Sequence, residues 1–159
     1  MQITRWSLAT PNDYTQLFLL LHDADEDDER IRRLVTDGLH TSYIAWRHEQ
    51  MVGAVVMRWQ GDASEIEYIA VAADVRGKGC GKAMLAHIIE EARVRRVSSI
   101  LVGTDNTAFG NIAFYQKCGF RMDHIRSDFF SYIQPTLIVN GIPMRDMLVL
   151  RYTLDRFAN

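Results

Sequence analysis

A chain of 159 residues, 48% hydrophobic and 24% charged, has the size and balance of one globular domain spanning residues 1–159. Its net charge of −2 gives no overall attraction to nucleic acid or to an anionic bilayer. No apolar run approaches the roughly 20 residues that span a membrane, and MQITRWSLATPNDY lacks the apolar stretch of a secretory signal. A cytoplasmic protein without membrane or nucleic-acid partners is the expectation. Cys80 and Cys118 lie in no metal-ligand spacing and are expected as free thiols. The five histidines are scattered, so no metal site is expected.

Thr10-Pro11-Asn12-Asp13 is a helix start: Thr10 caps, Pro11 suits the first turn, and Asp13 favours the positive end of the dipole. Tyr14, Leu17, Phe18 and Leu21 follow at helical spacing. DADEDDE, residues 23–29, holds six acids in seven positions, and a second helix with Ile31, Leu34, Val35 and Leu39 on one side is expected after it. Residues 42–47 and 51–59 are rich in β-branched and aromatic side chains and form a hairpin about His48-Glu49-Gln50. EIEYIAVA, 65–72, is a third strand. Residues 82–96 are helical, with Met84, Leu85, Ile88, Ile89 and Ala92 on one face. A strand at 100–104, a helix at 112–118 stopped by Gly119, and a strand at 147–154 complete the pattern. Strand, loop, helix and strand between 65 and 104 make a βαβ-like unit, so the fold class is α/β with part of the sheet parallel.

Between the third strand and the long helix stands DVRGKGCGKAML, residues 74–85. Glycines this dense are costly to order. At a helix N-terminus they bare successive N–H groups that, with the helix dipole, favour phosphate. Arg76, Lys78 and Lys82 add positive charge. The dinucleotide fingerprint GxGxxG fails because position 82 is Lys. The Walker loop GxxxxGK[ST] fails at Arg76 and Ala83.

Arg76-Gly77-Lys78-Gly79-Cys80-Gly81 resembles the [Q/R]-x-x-G-x-[G/A] signature of the GNAT superfamily of N-acetyltransferases, and the preceding YIAV and the later FYQKCGF, 114–120, resemble it too. The resemblance implies a central mixed, mostly antiparallel sheet, splayed at an acetyl-CoA site and flanked by helices. It implies that the amides of Arg76, Gly77, Lys78, Gly79, Cys80, Gly81 and Lys82 hold the pyrophosphate of acetyl-CoA. The strand carrying Ile69, Ala70 and Val71 would part from residues 100–104 to admit the pantetheine arm, with an N–H near Val71 polarising the thioester carbonyl. Family members carry an Asn about seven residues before the tyrosine; here position 108 is Ala, which leaves Asn106 and Asn111 as the nearby candidates for cofactor contact.

Acetyl transfer to an amine needs a proton for the leaving thiolate, which a phenol can supply. The resemblance puts Tyr115 in that role. Removing the amine proton needs a base. Glu65 and Glu67 lie two apart on one strand face, and the sequence does not choose between them. The resemblance implies an N-acetyltransferase acting on a primary amine of a small molecule or peptide. A protein Nα- or lysine acetyltransferase and a non-catalytic acyl-CoA-binding module are the alternatives. The acidic stretch would suit a cationic acceptor, although acids are also welcome at a helix N-terminus. Residues 126–147 turn at Asn140-Gly141, and their Phe129, Phe130 and Tyr132 suit a pocket wall or a homodimer contact.

Overall fold

The computed structural model describes residues 1–5, 11–22, 25 and 27–154, without the side chains of residues 11–13. Strand β1 (Gln2–Arg5) is followed by helices α1 (Pro11–Leu21) and α2 (Asp28–Thr36), and then by strands β2 (His40–Arg47), β3 (Gln50–Arg58) and β4 (Ala63–Val71). A short 3-10 turn (Ala73–Val75) leads to α3 (Cys80–Val94), β5 (Ser99–Asp105), α4 (Phe109–Lys117) and β6 (Arg121–Arg126). A two-rung hairpin, β7 (Ile138–Val139) and β8 (Ile142–Pro143), precedes β9 (Met147–Thr153).

Seven strands form one sheet in the order β1-β2-β3-β4-β5-β9-β6. Every neighbouring pair is antiparallel except β4 and β5. The expected β2–β3 hairpin is present, and its turn is two residues long: His48 and Glu49 both take positive φ, 48° and 63°. That is the turn whose twist matches antiparallel strands. One core lies between the sheet and α3, around Met57, Ile66, Met84, Leu85, Ile88, Ile100 and Leu150. The other lies under α1 and α2, around Leu17, Leu21, Ile31, Ile44, Val56, Tyr68 and Ala70. The five residues expected on the inner face of α3 are all buried.

Two local readings change. Helix α2 ends at Thr36, and Leu39 lies beyond it, largely exposed. Asp27 caps α2 by accepting from the Arg30 amide at 3.0 Å. Thr10, Asp23, Ala24 and Glu26 fall outside the described residues, as do the side chains of Pro11 and Asp13. The sheet also gains β1 and β6, for which the sequence carries no alternation. β1 is a four-residue edge, and β6 is the other edge, with Met122 and Ile125 on its exposed surface.

Candidate active site

The parallel pair β4–β5 is joined only from Ala63↔Ser99 to Ile66↔Val102, while β4 continues to Val71 and β5 to Asp105. Past that last rung the two strands part. The ladder between β3 and β4 shifts register between Val56↔Tyr68 and Met57↔Ile66, which leaves Glu67 as the extra residue of a β-bulge beside the parting. Beyond the bulge, the Ala72 amide donates to the Val52 carbonyl at 2.9 Å. Alternate residues of an antiparallel strand turn their polar backbone groups to opposite neighbours. Tyr68 and Ala70 therefore face β3, and Ile69 and Val71 turn theirs toward the gap. Ala70, expected to touch a cofactor, faces away from the gap with its backbone and is buried in the core under α1 and α2. The Val71 carbonyl accepts from Arg76 Nε at 2.9 Å.

The glycine loop adjoins this gap. Gly77 and Gly79 sit at φ 73° and 85°, a region that costs other L-residues roughly 1–2 kcal/mol. Gly79 is the N-cap of α3, and its carbonyl accepts the first helical bond, from Ala83, at 3.0 Å. Among the described residues, the amides of Gly77, Gly79, Cys80, Gly81 and Lys82 donate to no protein acceptor. A Cβ on Gly81 would lie 3.1 Å from Phe114 Cζ and 3.7 Å from Val71 Cγ2, so the helix start, the end of β4 and α4 meet at this glycine. The cations do more than add charge. Arg76 ties to Val71, and Lys78 Nζ donates to the Asp74 carbonyl at 2.8 Å, which stiffens the loop.

Tyr115 stands on α4, buried, with its ring 5.3 Å from that of Phe114 and 5.8 Å from that of Phe120. Burial pushes its phenol well above the ordinary value, with a smaller push from Cys118. It therefore carries its proton across the neutral range. On the opposite side of the sheet from α3, Glu65 and Glu67 share Arg58. Arg58 Nη2 donates to Glu65 Oε2 and Arg58 Nε to Glu67 Oε1, each at 2.6 Å. Arg126 Nη1 donates to Glu65 Oε1 at 2.8 Å. Both oxygens of buried Glu65 are thus held by guanidinium groups. Glu67 is one-quarter exposed and has one oxygen held.

The family model for the Acetyltransferase (GNAT) family matches residues 6–120. The chain belongs to the GNAT family. It is 34% identical over 143 residues to an uncharacterized N-acetyltransferase of Bacillus subtilis, covering 87% of this chain and 88% of the other. A GNAT family acetyltransferase from Elizabethkingia anophelis, solved with acetyl-CoA bound, superimposes with a TM-score of 0.85 at 32% identity, over 96% and 97% of the two chains. An IAA acetyltransferase from Bacillus cereus does so with a TM-score of 0.82 at 35% identity, over 96% and 99%. This GNAT protein is accordingly an acetyl-CoA-dependent acyltransferase.

Amides without a partner among the described residues, at a helix N-terminus whose Gly77, Gly79 and Gly81 present no Cβ, fit a diphosphate. Of the two expected asparagines, Asn106 is engaged elsewhere in this GNAT chain. Its Nδ2 donates to the Pro143 carbonyl at 3.0 Å, and its Oδ1 accepts from the amides of Arg145 and Asp146 at 2.9 and 3.1 Å. It braces the segment before β9. Asn111 lies at the start of α4 with Nδ2 3.4 Å from Thr104 Oγ1. Cys80 and Cys118 are free thiols, and burial raises both above the usual thiol range.

The acidic stretch is partly neutralised by its own helix. Arg30 lies 3.2 Å from Asp25 Oδ2 and 3.5 Å from Asp27 Oδ2, and Asp25 also accepts from Tyr68 Oη at 2.6 Å. Arg30 Nη1 donates to Tyr132 Oη at 3.3 Å, and its guanidinium stands 5.1 Å from the centre of that ring. The turn before α2 is thereby tied to the segment after β6. Arg30, Arg58 and Arg126 were absent from the sequence reading. They act through partners up to 102 positions away, and no local pattern marks them.

Proposed function

We propose that this GNAT enzyme moves the acetyl group directly to the primary amine of a small molecule, as one domain spanning residues 1–159, in the cytoplasm. The observation that carries the reading is the parting of β4 and β5 beyond Ile66 and Val102, next to the amide-lined start of α3. When bound, acetyl-CoA supplies a reactive acyl thioester. The amides of Gly77, Gly79, Cys80, Gly81 and Lys82 hold its diphosphate, with Arg76 and Lys78 adding charge. The backbone groups of Ile69 and Val71 pair with its arm along the gap, and the Val71 N–H polarises the carbonyl.

Tyr115 Oη keeps a proton ready for the leaving thiolate, because burial holds the phenol neutral. Glu67 is the base that accepts the proton of the amine. It stands in the bulge beside the gap with one oxygen unclaimed, whereas reaching Glu65 would require displacing Arg58 or Arg126. The raised thiols of buried Cys80 and half-buried Cys118 argue for direct transfer over a route through an acetyl-cysteine. The Arg30–Tyr132 tie between two sides of the acceptor region supports a small acceptor, since a polypeptide crossing there would need that tie open. The edge strand β6, exposed along most of its length, supports a homodimer.

The test is thiol release from acetyl-CoA with 2-phenylethylamine, spermidine, kanamycin and an alanine-terminated peptide. A small amine should respond, and Tyr115→Phe should lower its kcat about 100-fold. A response confined to the peptide would make the protein a protein acetyltransferase. Coenzyme binding without release by any amine would leave a non-catalytic acyl-CoA-binding module.

A further inference from the structure

Behind Glu67 stands a histidine that the reaction described above does not use. His40 opens β2, paired across the ladder with Arg58, and its side chain is only 7% exposed. Its Nδ1 lies 2.8 and 3.0 Å from the two carboxylate oxygens of Asp37. An ionised carboxylate only accepts, so Nδ1 carries the hydrogen. In the neutral ring, Nε2 is then a bare lone pair. That atom is buried and has no hydrogen-bond partner. It lies 3.9 Å from Glu67 Oε1. A buried acceptor without a donor thus faces a carboxylate oxygen already taken by Arg58, which is unfavourable if nothing relieves it. A single added proton relieves it, on Nε2 or on Glu67.

We propose that His40 and Asp37 are the proton outlet of Glu67, an inference that rests on Glu67 being the base. An N–H bond of the acceptor ammonium breaks and an O–H bond forms on Glu67. Rotation of the carboxyl group presents that hydrogen to His40. The O–H bond breaks, an Nε2–H bond forms, and Glu67 is again a carboxylate. The imidazolium now lies between the carboxylates of Asp37 and Glu67. Its Nδ1–H bond breaks, and that proton passes to Asp37, whose side chain is one-fifth exposed, and on to water. The ring then takes a proton back from water at Nδ1 while losing the one on Nε2, which restores the Nδ1–H form. The charged groups that face the ring are Asp37 from the turn before β2 and Glu67 from β4, with Arg58 of β3 bonded to the same Glu67 oxygen. A histidine serving only to staple the turn would need Asp37 alone and would gain nothing from a buried, unpartnered Nε2 aimed at Glu67. His40 is therefore a positioning and relay residue, not one that touches substrate.

Ring-nitrogen NMR on the full chain reads the arrangement without an acceptor. Hydrogen on Nδ1 alone in the neutral ring, and an Nε2 signal that moves in Glu67→Gln, are the expected results. Hydrogen on Nε2 in the neutral ring, or an Nε2 signal indifferent to Glu67, overturns the proposal. With the amine that responds in the thiol-release assay, His40→Gln should lower kcat about 10-fold, leave the KM for acetyl-CoA unchanged and move the acid limb of the pH profile. Imidazole added to His40→Ala should restore part of the rate. Asp37→Asn keeps an oxygen for the Leu39 and His40 amides and should move the same limb. If Glu67→Gln runs at full rate, the base assignment fails and takes this proposal with it. If Glu67→Gln falls about 100-fold while neither Asp37→Asn nor His40→Gln moves the limb, the relay alone is wrong.

Discussion

The two sides of the sheet at the β4–β5 parting are built from different materials. On the α3 side the site is main chain: five amides without a partner among the described residues, two glycines at positive φ, and a third glycine pressed against Phe114. On the other side it is side chains, with Arg58 between Glu65 and Glu67, Arg126 on Glu65, Arg30 on Tyr132, and His40 behind Glu67. Main-chain recognition needs particular residues at fixed neighbouring positions. Side-chain recognition joins residues that only the fold brings together. The donor side should therefore fail through geometry, and the acceptor side through chemistry.

Substitutions can break this contrast, and the largest effect is expected at the proposed base. Glu67→Gln should lower kcat about 100-fold with acetyl-CoA binding intact, while Glu65→Gln should act mainly on stability, because its one remaining oxygen can serve only one of Arg58 and Arg126 and its NH2 faces the other. Equal kinetic losses would erase the distinction between the two acids. Gly79→Val should weaken coenzyme binding about 10-fold or more in calorimetry, through strain at φ 85° and bulk beside the amides, with the acceptor KM little changed. Arg30→Ala should raise the acceptor KM a few-fold and spare that for acetyl-CoA, because it opens the tie to Tyr132.

The smallest expected effect lies away from both sides. Arg151 and, to a lesser degree, His124 hold the Asp123 carboxyl down at about 2. Its pKa is depressed in the folded state. The stabilisation is therefore present above the ordinary aspartate range, near pH 4, and is lost as pH falls toward 2. Exposed as it is, the pair contributes about 0.5 kcal/mol between β6 and β9. Asp123→Asn should lower the urea midpoint slightly at pH 7 and not at pH 2.

The same contrast explains what the sequence disclosed. The donor loop was legible because its glycines and cations are contiguous, and the α3 face because burial repeats with the helical period. Tyr115 was singled out by its motif, and the structure buries it on α4 beside Phe114 and Phe120. The proposed preference for Glu67 over Glu65 was not legible, since it rests on Arg126, 61 positions from Glu65. Asn106 looked like a cofactor ligand by proximity to the tyrosine, yet it binds the 143–146 segment, a contact made by the return of the chain into β9. Strand β6 was missed because an edge exposed on both faces needs no alternation of polar and apolar residues.

The central claim is that main-chain N–H groups at the start of α3 hold the coenzyme's diphosphate. Amide NMR during a titration with coenzyme A reads this directly. The account expects the signals of Gly77, Gly79, Cys80, Gly81 and Lys82 to move together, at the same coenzyme concentrations as those of Ile69 and Val71. Saturable binding that leaves the five loop amides in place would contradict it.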